Sequence, residues 1–164
     1  MWRPDFEFAQ VRPARLIGYH RRLCVFSHHY RGTREKPGLV LGLDRGGSCV
    51  GLVYDVEKTN WESVIAKVRS RELLGDAYHE ASKSFLTLES AQRVEALTYL
   101  VRRQSAQYVP RIKTEELLHF INQGHGTMGS CRDYVANTIR HLRQLGIHDA
   151  GLEVFAPHVM AGRA

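Results

Sequence analysis

No cysteine in this chain has a partner at close spacing. Cys24, Cys49 and Cys131 are odd in number, widely separated and outside any Cys-x-x-Cys pair. That pattern suits reduced thiols in a cytosolic chain and argues against a disulfide framework. No apolar run approaches the ~20 residues that a membrane span needs. No charged-then-apolar leader with a cleavage site is visible. The expectation is a cytoplasmic protein without a membrane partner. His28, His29, His119, His125 and Cys131 lack a zinc-ligand spacing, so no metal is expected. Gly46-Gly47-Ser48 leads into an apolar run that reads as strand, and no Gly-Lys-Ser/Thr follows a strand. A phosphate loop is therefore not expected. No sequence pattern assigns a base to any Cys or Ser that would make it an acylating nucleophile.

What is present is ordinary globular material. The chain has 164 residues, 24% charged and 43% hydrophobic, enough for one domain with a core. The expected domain covers residues 1–150, with 151–164 as a C-terminal tail without a firm period. The formal charge is +6, which favours anionic partners. The basic residues are dispersed, apart from Arg12–Arg22, and no nucleic-acid motif accompanies them. A small anionic substrate fits better than nucleic acid. Oligomeric state is not legible.

Residues 1–14 carry Pro4 and Pro13 and read as loop. Arg15 to Ser27 reads as a strand. Leu39 to Leu43 is a second strand, Asp44-Arg45-Gly46-Gly47 a turn, and Val50 to Val56 a third strand, which predicts a hairpin. Thr59 with Glu62 has the form of a capping box before a helix whose inward stripe is Trp61, Ile65 and Val68. Lys83 to Leu88 and Arg93 to Val101 read as two strands joined by a polar turn. Thr114 to Asn122 is a short helix, followed by a glycine-rich break from Gly124 to Gly129. Ser130 to Asp133 is another capping box, opening a helix that runs to about Leu145 and stops at Gly146. Strands, helix, strands, helices is not βαβ alternation. The expected class is α+β, with a mixed, mostly antiparallel sheet or small barrel and flanking helices.

Glu72 stands out in this pattern. It lies four residues beyond Val68 and seven beyond Ile65, on the inward face of its helix. An ionised carboxylate there is costly unless it is paired or titrates upward. Carboxylates of that kind perform general acid–base chemistry. The plain alternative is a helix-end glutamate that reaches solvent or pairs with Arg69 or Arg71.

Four segments resemble one family. Arg31-Gly32-Thr33, then Pro37-Gly38-Leu39-Val40-Leu41, then Gly46-Gly47-Ser48-Cys49 form the first. The second is Arg71-Glu72 with Tyr78 six residues on, its glycine at 75 standing one place early. Gln107-Tyr108 before Pro110 is the third. Gly129 to Tyr134, with Asn137 and Leu142, is the fourth. Together they resemble the ChaC-like γ-glutamylcyclotransferases. The resemblance implies the γ-glutamylcyclotransferase-like fold and a cofactor-free lyase that cleaves glutathione to 5-oxoproline and Cys-Gly. It implies Glu72 as catalytic acid–base and Trp2, Arg31, Gly32, Tyr78, Tyr108, Tyr134 and Asn137 as candidate substrate-binding residues. For each of the latter a plain packing or solvated role is the alternative. The family carries Tyr-Gly-Ser-Leu at the end of its first strand. Met1-Trp2-Arg3-Pro4 resembles the residues just after that loop, so the first strand and loop are expected to be missing. Weak or no turnover is then expected of residues 1–164. The alternative reading is a non-catalytic remnant that binds a small anion or a protein partner, or, within the same fold, an enzyme for another γ-glutamyl amine.

Overall fold

The computed structural model describes residues 4–161. Two compact units are distinguishable: Met1–His20 with Leu43–Arg102, and Arg21–Gly42 with Arg103–Ala164. Two long strands, β1 (Gln10–Ser27) and β2 (Gly38–Asp55), contribute residues to both.

The first unit also holds α1 (Trp61–Glu72), β3 (Tyr78–Thr87) and β4 (Arg93–Val101). The strands close into a small barrel in the order β1-β2-β4-β3. The predicted hairpin of Lys83 to Leu88 with Arg93 to Val101 is present, but β3 starts earlier, at Tyr78, and its antiparallel register with β4 is continuous from Tyr78↔Val101 to Leu86↔Arg93. The Thr87 hydroxyl closes the turn by accepting from Gln92 N at 3.1 Å. β1 pairs antiparallel with β3 around Arg15↔Leu86, and β2 meets β4 in parallel at Leu43↔Leu100. The α+β class with a small barrel and flanking helices is what the sequence led us to expect.

Two local expectations fail here. Asp44 to Gly47 does not reverse the chain, and β2 runs through it. Gly46 and Gly47 take φ of +103° and +64°, which makes a local irregularity inside a strand, a common use of strand glycine. His20 Nδ1 donates to the Gly46 carbonyl at 2.8 Å, and buried Asp44 accepts from Arg45 N through Oδ1 at 2.9 Å. Residues 10–14 are strand rather than loop. Ala9 N donates to the Asp55 carbonyl and Arg12 pairs with Asp55 at 2.8 Å. Pro13 needs no donor there, and its carbonyl accepts from Leu88 N.

The second unit holds α2 (Thr114–Gln123), the two-residue strands β5 (His125–Gly126) and β6 (Gly129–Ser130), α3 (Cys131–Gln144), α4 (Ala150–Glu153) and α5 (Ala156–Met160). Ser130 caps α3 by accepting from Asp133 N at 3.0 Å. The helix ends in a Schellman motif at Gly146, with Ile147 N donating to Leu142 O and Gly146 N to Arg143 O. Its buried face is Cys131, Val135, Ala136, Ile139 and Leu142. Leu23, Leu39 and Ile121 pack there, together with Leu152, Phe155 and Val159. Residues 150–160, expected to be largely a tail, therefore fold as α4 and α5 and supply core side chains.

Backbone segments in this unit approach very closely. A Cβ on Gly32 would lie 2.1 Å from Gly38 N, and one on Gly38 would lie 2.1 Å from the Arg31 carbonyl. These contacts are to backbone, which cannot swing aside. Gly38→Ala is expected to lower stability by about 1–3 kcal/mol, read as a fall in the urea midpoint at unchanged slope. A midpoint equal to wild type would contradict the packing.

Cys131 is fully buried, its Sγ donating to Leu39 O and accepting from Leu39 N at 3.2 Å. Burial pushes its thiol from 9.0 up to about 11, with the Leu39 hydrogen bond and Arg31 opposing. The folded value lies above the unfolded one. The stabilisation is thus complete below pH 9.0 and lost as pH rises toward 11. In native protein at pH 8, iodoacetamide is expected to label half-buried Cys49 well before Cys24 or Cys131. Equal labelling rates, followed by mass spectrometry, would contradict this.

Candidate functional site

The expected site residues divide between the two units. Glu72 and Tyr78 belong to the first. Arg31, Gly32, Tyr108, Tyr134 and Asn137 belong to the second. Trp2 lies outside the described residues.

In the first unit, α1 begins after Asn60 rather than Thr59, and Asn60 makes no side-chain cap bond. The inward face also differs from the expected one. Val64 and Val68 are buried, Ile65 is half-buried, and Trp61 is 43% exposed. The inward row therefore runs Val64, Val68, Glu72 at i, i+4, i+8, and its last member is the carboxylate. Glu72 follows Val68 by four residues as expected, but it closes the helix, is half-buried rather than buried, and pairs with Arg71, which is the plain alternative for this residue. The Glu72 side chain is 25% exposed and accepts from Arg71 Nε at 3.1 Å. Arg71 also donates through Nη1 to Asp5 at 3.0 Å, and Lys67 lies 3.3 Å from the same carboxylate.

Beside this end of α1 stands a group that the sequence reading did not single out. Arg69 donates from Nε and Nη2 to the two carboxylate oxygens of Glu80, at 2.8 and 2.7 Å. Tyr99 donates its hydroxyl to the same Glu80 at 3.0 Å. The register explains the meeting. Glu80 lies directly opposite Tyr99 on β4, and Tyr78 is two residues away on the same face of β3. The Arg69 guanidinium holds the Glu80 carboxyl below the usual carboxylate range; burial opposes and the Tyr99 hydrogen bond assists. Burial, the Glu80 hydrogen bond and the Glu80 charge push Tyr99 up to about 12, with Glu72 adding to the rise and Arg69 opposing it. The expected strand begins at Lys83, so Glu80 falls outside it, and its pairing with Tyr99 emerges only from the register. At its other end Tyr78 accepts from Arg102 Nε through its carbonyl, at 3.3 Å.

In the second unit, Arg31 and Tyr134 come together. The Arg31 guanidinium carbon lies 5.2 Å from the Tyr134 ring centroid, and Nη1 donates to the Met128 carbonyl. Arg31 N donates to Ser27 Oγ at 3.0 Å. Tyr134 is fixed through its hydroxyl, which accepts from Leu41 N at 3.2 Å. Gly32 is explained locally by its close approach to Gly38. Tyr108 is held by a different pair of cations. Arg22 donates to its hydroxyl at 3.2 Å, and the guanidinium carbons of Arg22 and Arg103 lie 5.6 and 6.0 Å from its ring centroid. Asn137 is exposed on α3, and its side-chain carbonyl accepts from Arg140 Nη1.

Among the described residues no cluster of three or more His, Cys, Asp or Glu is placed to hold a metal ion. No described helix is long and apolar enough to cross a membrane. In general a half-buried carboxylate can exchange a proton and a guanidinium can bind an anionic group.

Known proteins are similar to this chain in sequence or in fold. A family model described as ChaC-like protein matches residues 1–161. The glutathione-specific γ-glutamylcyclotransferase of Escherichia coli is 26% identical over 152 residues, covering 93% of this chain and 65% of that protein. Glutathione-specific γ-glutamylcyclotransferase 1 of Homo sapiens is 26% identical over 138 residues, covering 82% of this chain and 62% of that protein. The chain thus spans somewhat less than two thirds of the length of these relatives. A crystal structure of a glutathione-specific γ-glutamylcyclotransferase from yeast superposes with a TM-score of 0.84 at 19% identity, covering 98% of this chain and 91% of that one. That likeness shows the fold, and with the match over residues 1–161 the conclusion is plain: the chain belongs to the ChaC-like family.

Proposed function

We propose that this protein is a glutathione-specific γ-glutamylcyclotransferase with Glu72 as its general acid–base. The observation that carries the reading is the position of Glu72 at the end of the Val64–Val68 row, a half-buried carboxylate on the last turn of α1. The names of the relatives supply the substrate.

The reaction in this reading is an intramolecular aminolysis. The substrate's α-ammonium gives a proton to Glu72. The freed amine attacks the γ-glutamyl carbonyl carbon and forms a tetrahedral intermediate. Its collapse breaks the bond to the cysteinyl nitrogen as Glu72 returns the proton to that leaving nitrogen, and the extra proton left on the lactam nitrogen passes to the departing amine, which leaves as an ammonium. The products are 5-oxoproline and Cys-Gly, and protons balance without water, metal or nucleotide. One carboxylate serves both steps because the two nitrogens flank one carbon. Holding the γ-glutamyl arm in the attack geometry makes up most of the remaining task. For the second unit we propose a separate duty. Arg31, with Nη1 on Met128 and its face on Tyr134, is oriented to meet a carboxylate with its remaining donors. Trp2, Gly32, Tyr78, Tyr108 and Asn137 complete the proposed substrate contacts, on the family resemblance alone.

Incubation with glutathione is expected to release 5-oxoproline. Glu72→Gln is expected to lower kcat by about 10²–10⁴-fold, with KM and thermal midpoint near wild type. Retained turnover would remove Glu72 from the mechanism. Glutathione binding without any turnover by wild type would favour the non-catalytic reading.

Arg31→Gln is expected to raise KM about ten- to a hundredfold with a smaller change in kcat, the loss of one charge-assisted contact. An unchanged KM in a folded variant would leave Arg31 with a packing role.

A further inference from the structure

Arg69 and Glu72 are three residues apart on α1, a spacing at which side chains of opposite charge meet. Glu72 nevertheless has Arg71 as its ion-pair partner, while both forks of Arg69 point to Glu80. Charged and titratable groups described around this helix end come from several elements, and Tyr78 on β3 is one of them. From α1 itself come Arg69, Arg71 and Lys67. From the segment before β1 comes Asp5, held by Lys67 and Arg71. β3 supplies Glu80 and β4 supplies Tyr99. Beyond the helix end, Asp76 lies 3.6 Å from Arg102. Glu80 is thus the carboxylate that competes with Glu72 for Arg69. It is the better placed of the two: its side chain is 19% exposed, it is fixed on a strand, and the Tyr99 hydroxyl locks its orientation.

We propose that Glu80, oriented by Tyr99, is a positioning residue that withholds the Arg69 guanidinium from Glu72, so that Glu72 keeps one cationic partner rather than two. The inference rests on Glu72 being the proton carrier proposed above. A second guanidinium on Glu72 would stabilise its ionised form and weaken it as a base. It would also occupy the oxygen that must face the substrate nitrogen. Glu80 and Tyr99 touch no reacting atom in this account. They act through where Arg69 is held.

The experiment is an NMR pH titration of ¹³C-labelled glutamate side chains, with the Glu72 signal assigned by its loss in E72Q. Wild type, R69Q, E80Q and R69Q/E80Q are compared. In E80Q the Glu72 midpoint is expected to fall by about one unit as Arg69 swings onto it. Losing the Glu80 charge alone would also lower the midpoint, so the double-mutant cycle decides. R69Q is expected to raise the midpoint more in the E80Q background than in wild type. Purely additive effects mean that Arg69 does not move, and overturn the proposal. An unchanged midpoint in E80Q overturns it as well. Should E80Q fail to fold, E80D keeps the charge and withdraws the carboxylate by one methylene. The midpoint is again expected to fall, and a constant value again overturns the proposal. None of these readouts requires turnover. If the midpoint moves as expected but the acid limb of kcat/KM does not follow it, the role of Glu72 as base fails while the withholding of Arg69 stands.

Discussion

The bidentate pair between Arg69 and Glu80 fixes the last turn of α1 against β3, and the position of the candidate acid–base follows from it. Val64 and Val68 bury the helix face, but burial is not directional. The guanidinium–carboxylate fork is, and the Tyr99 hydroxyl adds a third fixed bond. The carboxylate partner titrates below its ordinary value, so the stabilisation is present above that ordinary value and lost as pH falls through the lowered one. Arg69 is half exposed, so the pair is worth more as a constraint on geometry than as a contribution to global stability.

Which parts of this were legible in the sequence follows from the range of the interactions. The β3–β4 hairpin and α3 were legible because their signals are local: polar turn residues, a Ser130 cap, a Gly146 stop. Glu72 was legible because i, i+4 spacing survives a shift in the helix start. The break in β2 was misread because Gly46 and Gly47 mark positive φ, and positive φ does not by itself mean reversal. Trp61 was misread because an aromatic side chain at a helix start was taken as core, whereas Val64 opens the buried row. Glu80 and Tyr99 acquire meaning only once the register sets them opposite each other across two strands, which no local pattern reveals. α4 and α5 are short, and their core residues Leu152, Phe155 and Val159 show no long period to read.

The two units contribute different chemistry. The first presents a carboxylate whose neighbours are arranged in pairs: Glu72 with Arg71, Glu80 with Arg69, Asp5 with Lys67 and Arg71. The second presents cations set against aromatic rings, Arg31 on Tyr134 and Arg22 on Tyr108. A net charge of +6 favours anionic partners in general, and the proposed lactam-forming reaction would need from the protein a proton carrier and a fixed substrate conformation. The pairing of Arg69 with Glu80 is a feature of this chain's own residues and is not inferred from its membership of the ChaC-like family.

The central claim is that Glu72 exchanges a proton with the γ-glutamyl amine. A crystal structure of the Glu72→Gln variant with glutathione tests it most directly. The account predicts the substrate α-nitrogen within ~3 Å of the residue 72 side-chain amide, with the γ-carbonyl carbon beside it. A γ-glutamyl arm bound away from residue 72, with another side chain on the α-nitrogen, would contradict it.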